Sequence, residues 1–165
     1  MKVFARVCML ACVFAAPLAA QDTNFAAMQQ RGKMAMGVDQ STSIHKFDDL
    51  ANGGRIELQR ERDDTAGVRA IRAHLHNIAR AFNIGDFSTP AFVHMKTLPG
   101  MATMAKKRAA IRYLFKELPR GGELRITTTD PAALEAVHEF LAFQRGEHHA
   151  EGHDMHGMSE RPVKP

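Results

Sequence analysis

Ser43–Arg60 reads SIHKFDDLANGGRIELQR, and Ile111–Thr128 reads IRYLFKELPRGGELRITT. In each, a glycine pair follows one run of alternating apolar and polar residues and precedes another. Alternation with a period of two puts one set of side chains on one sheet face. His45 shares a face with Phe47, Ile56 with Leu58, Tyr113 with Phe115, and Leu124 with Ile126. Glycine accepts the positive φ of tight hairpin turns. The reading is strand, turn, strand, twice. The first is Ser43–Leu50, Asn52-Gly53-Gly54 and Arg55–Arg60; the second is Ile111–Leu118, Arg120-Gly121-Gly122 and Glu123–Thr128.

Each hairpin leads into a helix. Over Thr65–Phe82, the residues Val68, Ile71, Leu75, Ile78 and Phe82 recur at helical spacing, and Asp63 or Asp64 can cap the start. Over Pro131–Arg145 the stripe is Leu134, Val137 and Leu141, with His148 on the same stripe if the helix runs on. Asp130-Pro131 is an N-cap followed by proline at the first helical position. An offset of 68 aligns His45 with Tyr113 and Phe47 with Phe115, and an offset of 66 aligns Ile71 with Val137 and Leu75 with Leu141. The expected fold is α+β: two strand-strand-helix repeats giving a four-stranded antiparallel sheet with two helices on one face.

This places the repeats at about 43–83 and 111–147 of a single domain spanning 43–147. The connection 84–110 contains Pro90 and Pro99-Gly100 and reads as irregular, with a short helix within Met101–Ala109. Long irregular connections are usually functional or mobile. Lys106-Lys107-Arg108 is read as a solvated face, and Met101 and Met104 as packing residues rather than ligands. Residues 21–42 are polar with scattered methionines and read as a flexible N-terminal segment.

Lys2 and Arg6 precede the apolar run Val7–Ala16, then Pro17 and Leu18-Ala19-Ala20. This is the order of a secretory signal peptide, residues 1–20, and the run is too short to span a membrane. The protein is thus expected in the periplasm or secreted, with no membrane span after cleavage. Both cysteines, Cys8 and Cys12, fall inside the signal, so no thiolate metal site and no disulfide remain. Loss of Lys2 and Arg6 lowers the formal net charge from +4 to +2. So weak an excess, with one Tyr and no Trp, argues against a nucleic-acid partner.

Residues 148–165 read as a disordered tail rich in His and Met. His148, His149, His153 and His156 supply imidazoles, and Met155 and Met158 supply thioethers. Imidazole suits Cu(II), Ni(II) and Zn(II), and thioether suits Cu(I) or Ag(I). Copper is the first candidate, with zinc, nickel or silver as alternatives. A second, folded site is drawn from His45, His74, His94 and His138, which lie at or near core faces of different elements; His76 reads as exposed. Covalent haem is excluded for want of Cys-x-x-Cys-His, and non-covalent haem ranks below a bare ion. Hydrolase motifs are absent, so no catalytic residues are assigned and a non-enzymatic role ranks first.

By its two ends, the chain resembles periplasmic His/Met-rich copper- or silver-binding proteins. Residues 36–150, through Ile71-Arg72-Ala73-His74-Leu75, Gly85-Asp86-Phe87, Pro99-Gly100 and Ala136-Val137-His138-Glu139-Phe140-Leu141-Ala142-Phe143-Gln144, are similar to small exported bacterial proteins of unassigned function. That second resemblance implies no activity. The expected function is copper binding in the periplasm for buffering, delivery or tolerance, by a monomer or weak dimer. The alternatives are a periplasmic protein-interaction module with an incidental tail, and a small metal- or haem-dependent enzyme. The exported chain is expected to begin at Gln21, which the intact mass of protein recovered from the periplasm checks.

Overall fold

A computed structural model describes residues 18–150. The signal residues before Leu18, and His153, Met155, His156 and Met158, lie outside the described residues. The elements are α1 (Leu18–Met36), β1 (Ser43–Leu50), β2 (Gly53–Arg60), α2 (Thr65–Asn83), α3 (Ser88–His94), α4 (Met101–Lys106), β3 (Ile111–Leu118), β4 (Gly121–Thr128) and α5 (Pro131–Glu147). The strands form one antiparallel sheet in the order β1-β2-β4-β3. The α+β architecture is as the sequence pattern indicates, with α2 and α5 packed on one face of the sheet.

The sheet core follows from register. Phe47 pairs with Ile56, Ile56 with Leu124, and Leu124 with Phe115, so one apolar row crosses all four strands. The next inward row runs through Asp49, Gly54, Ile126 and Tyr113. Against this face lie Ile71, Leu75 and Phe82 of α2, and Val137, Phe140 and Leu141 of α5, all buried. Asp64 caps α2 by accepting the Gly67 N–H, and Asp130 caps α5 by accepting the Ala133 N–H, each at 3.0 Å.

The helices are exchanged between hairpins. α2 follows β1–β2 but packs on β3 and β4, while α5 follows β3–β4 and packs mainly on β1 and β2. Arg72 of α2 donates to the carbonyls of Leu118 and Gly121 at the β3–β4 turn, at 2.8 and 3.0 Å. His138 of α5 holds the β1–β2 turn, its Nε2–H shared between the carbonyls of Leu50 and Gly53 at 3.0 and 2.9 Å.

The glycine pairs are not the turns. The two-residue turns are Ala51-Asn52 and Pro119-Arg120, and the glycines open strands β2 and β4. Their role is close approach. A Cβ on Gly54 would overlap Leu141 Cδ1, and one on Gly122 would lie 2.6 Å from Phe115 Cε2 and 3.2 Å from Leu75 Cδ1. Each glycine therefore seats the helix of the other unit.

Two further expectations change. The connection 84–110 is largely helical, with α3, α4 and a 3-10 turn at Arg108–Ala110. Pro90 stands third in α3, within the first turn, where its missing N–H breaks no helical bond. The segment expected to be flexible forms α1 and a 3-10 turn, Gln40–Thr42, with Met28, Met36, Val38 and Gln40 buried. Its inward residues are Phe25, Met28, Gly32 and Met36, and glycine within that stripe hides the helical period. The Arg31 Nε–H donates to the Val93 carbonyl at 2.7 Å and ties α1 to α3. Among the described residues, no helix is long and apolar enough to cross a membrane.

Gly54→Val and Gly122→Val are each expected to destabilise the protein by about 1–3 kcal/mol through overpacking. Thr127→Val, on the opposite sheet face, should stay within about 0.5 kcal/mol of the parent. Urea unfolding curves of the three variants check both expectations.

Candidate functional site

Four histidines line one cavity of about 90 Å³: His45, His74, His94 and His148. Each arrives by a separate rule of local structure. His45 precedes Phe47 by two on the inward face of β1. His74 lies at the edge of the α2 stripe. His94 is the last residue of α3, where its side chain is almost wholly buried. His148 caps α5 and continues the run Val137, Leu141, Gln144. The rest of the wall is mainly apolar, with Phe47, Ile56, Phe82 and Phe140 behind the imidazoles, and Met36 from α1.

The closest approach is between His94 and His148, whose Nε2 atoms lie 3.2 Å apart with rings perpendicular. Each ring also meets a carboxamide: His94 Nε2 lies 2.9 Å from Gln144 Oε1, and His148 Nδ1 lies 2.7 Å from Gln40 Nε2. In this arrangement Gln144 requires a proton on His94 Nε2. Gln40 makes His148 Nδ1 an acceptor and so requires a proton on His148 Nε2. Two N–H groups would then face each other. Turning the Gln40 amide by half a turn resolves the conflict, because Oε1 then accepts from His148 Nδ1–H and frees the Nε2 lone pair.

The remaining nitrogens are sparsely used. His45 Nε2 and His94 Nδ1 are buried without a hydrogen-bond partner. The nearest carboxylate oxygen to His94 Nδ1 is Glu147 Oε2 at 3.7 Å, and Glu147 also pairs with Lys96 at 3.5 Å. His74 Nδ1 lies 3.1 Å from the Ala35 carbonyl, so it carries the proton and leaves Nε2 as a lone pair. Among the described residues, no three or more His, Cys, Asp or Glu side chains are gathered closely enough to hold a metal ion as they stand.

The structure thus brings together three of the four histidines of the expected folded site and sets His138 apart. The Nε2 proton of His138 is committed to the β1–β2 turn, so that nitrogen offers no lone pair. In place of His138 stands His148, expected in the tail. His149 also belongs to the described fold and stacks on Phe25 with ring centroids 4.6 Å apart. His76 is exposed, its ring edge-on to Phe115. Met101 and Met104 are buried in the core, and Met101 Sδ accepts the Leu98 N–H at 3.2 Å. The sequence reading missed Gln40, Gln144 and Glu147. Gln144 had a signal, since it continues the stripe of α5; Gln40 and Glu147 had none.

Burial lowers the basicity of the whole cluster. It pushes the pKa of His45 down to about 4, with His74 adding to the effect. It pushes His148 down to about 3, assisted by His94, His45 and His149. His94 and His74 are lowered for the same reason, against hydrogen bonds to Gln144 and the Ala35 carbonyl. All four are neutral at pH 7, the form that offers a lone pair to an ion.

An unfolded imidazole titrates near 6.5. Between there and the lowered folded values the unfolded chain binds more protons, so stability falls as pH falls. The metal-free protein should lose stability progressively from about pH 6.5, the loss continuing to about pH 4 for His45 and pH 3 for His148. Urea unfolding of the parent, His45→Asn and His148→Gln at a series of pH values checks this. A smaller slope is expected in each variant, and equal slopes in all three would contradict it.

Comparison with protein-family models, curated proteins and solved structures finds no match.

Proposed function

We propose that this protein is an exported metal-binding protein that holds a copper ion in the cavity walled by His45, His74, His94 and His148. The observation that carries the reading is that these four neutral imidazoles line one cavity, with the Nε2 atoms of His94 and His148 only 3.2 Å apart. Two nitrogens bound at about 2.0 Å to one tetrahedral ion stand about 3.3 Å apart. An ion between His94 and His148 replaces the contested proton with a bond to each lone pair. Unpartnered His45 Nε2 and the free Nε2 of His74 are the further ligands, reached by rotation of their rings toward the pair.

The surrounding groups suit that role. Metal-bound histidines donate their second N–H to a carboxylate, carbonyl or amide oxygen, which fixes ring orientation. Glu147 is placed for this behind His94 Nδ1, Gln40 behind His148 Nδ1, and the Ala35 carbonyl behind His74 Nδ1. A cavity of about 90 Å³ has room for an ion and a few waters and is far too small for haem. Imidazole ligation also admits zinc or nickel, and copper is preferred because Met36 lines the same cavity. Buffering or delivery of copper outside the cytoplasm is the role that fits an export signal together with a site of this small size.

Copper titration of the exported chain, by competition with a chromophoric chelator, tests the reading. One tight site is expected, and it should survive substitution of His153, Met155, His156 and Met158 by Ser. His94→Gln and His148→Gln should each abolish it, and Glu147→Gln should weaken it by about 10–100-fold. Tight binding that persists in both ligand variants, or no binding by the parent, would overturn it.

A further inference from the structure

Among the described residues, two non-glycine residues have positive φ, Met95 at +54° and His149 at +48°. They are far apart in sequence, yet both line one surface cleft of about 690 Å³ between α1 and the ends of α3 and α5. Met95 caps the end of α3, and His149 follows the C-cap of α5. Left-handed positions at helix ends are where glycine is least strained. Here the chain instead keeps a thioether and an imidazole, and non-glycine strain of this kind gathers at working sites. The Met95 side chain is displayed rather than packed, with the residue 69% exposed.

His94 forms part of the wall of both this cleft and the inner cavity. An ion held in the cleft therefore lies next to the imidazole that would receive it inside. The charges around the cleft select among ions. Among the described residues, Arg31 and Lys96 line it against a single carboxylate, Glu147, which already pairs with Lys96. That balance repels a divalent ion more than a monovalent one. Thioether ligation favours soft Cu(I) over Zn(II) or Cu(II).

We infer that this cleft is the loading port of the histidine cavity for Cu(I), with Met95 and His149 as transient ligands and His94 as the receiving residue. The inference rests on the metal reading above and adds a route and an oxidation state. It separates two roles: the port sets how fast the ion arrives, and the cavity sets how tightly it is held.

The test uses the exported chain with His153, Met155, His156 and Met158 replaced by Ser, kept without oxygen and offered Cu(I) as its bicinchoninate complex. Both the rate of transfer and the final partition are measured. Met95→Gly relieves backbone strain and should not lower the melting temperature. His149→Gly relieves strain but loses the stack on Phe25, so its melting temperature should stay within a few degrees of the parent. Each is expected to slow Cu(I) loading at least tenfold while shifting the final partition less than threefold. Zn(II) uptake should be equally fast in the parent and in Met95→Gly. Parental Cu(I) loading rates in both glycine variants would overturn the port. Equal slowing of Zn(II) would overturn its selectivity for the monovalent ion. Absence of any bound ion in the parent at equilibrium is a different result and would end the metal reading itself.

Discussion

A buried imidazole has two nitrogens to satisfy, and an unpaired polar group inside a protein costs about 1–3 kcal/mol. Everything around the cavity answers to that constraint. His138 meets it at Nε2 with two backbone carbonyls, and His74 meets it at Nδ1 with one. His148 at both nitrogens and His94 at Nε2 meet it through a pair of glutamines and each other, in an arrangement that is one proton over-supplied unless an amide turns or an ion enters. His45 leaves Nε2 unmet, and His94 leaves Nδ1 unmet. The cluster is therefore solvated incompletely by its own chain, and a cation with open coordination positions would complete it.

Holding the four rings in place requires every layer of the fold. Gly54 and Gly122 let α5 and α2 sink onto the sheet, which brings Gln144 and Leu75 to the cavity wall. Arg145 donates to the Phe47 carbonyl at 2.6 Å and locks the last turn of α5 against β1, just before His148. Gly32 leaves room for Gln40, since a Cβ there would stand 3.1 Å from Gln40 Oε1. The Arg31 bond to Val93 then fixes α3, and with it His94, against α1. Weakening any of these ties would move a ring at the site without touching an imidazole.

The sheet, its order of elements and the helices α2 and α5 were legible because alternation and helical spacing are strong over these lengths, as in Ile71, Leu75, Ile78 and Phe82. The glycine pairs stand out in the sequence but read as turns, because the sequence does not say which neighbour a missing Cβ would strike. α1 was illegible because Gly32 interrupts its inward stripe, and buried Gln40, which follows the helix, is polar. The site was legible in part. His45, His74 and His94 follow from faces and edges, but His138 and His148 trade places. His148 sits on the helical stripe in the sequence, yet its neighbours His149, His153 and His156 make it look like tail. Which of two edge histidines meets a backbone carbonyl, and which meets a cavity, depends on the exchange of helices between hairpins. That is a property of tertiary packing, not of local pattern.

That exchange also shows that the fold itself does not demand histidine at the cavity. The strand offset of 68 sets His45 against Tyr113, and the helix offset of 66 sets His74 against Phe140 and His148 against Phe82. The rings of Tyr113 and Phe140 pack edge-on against Phe82, with centroids 5.5 and 5.9 Å away, and Phe82 and Phe140 back the histidine cavity. The residues paired with these histidines by the offsets are thus carbocyclic rings buried in the core. A phenyl ring buries more apolar surface than an imidazole and leaves no nitrogen to satisfy. Stability alone would favour aromatic residues at both ends. The chain instead carries three imidazoles at one end, adds His94 from α3, and leaves a cavity between them, which is the arrangement expected where packing has yielded to ligand binding.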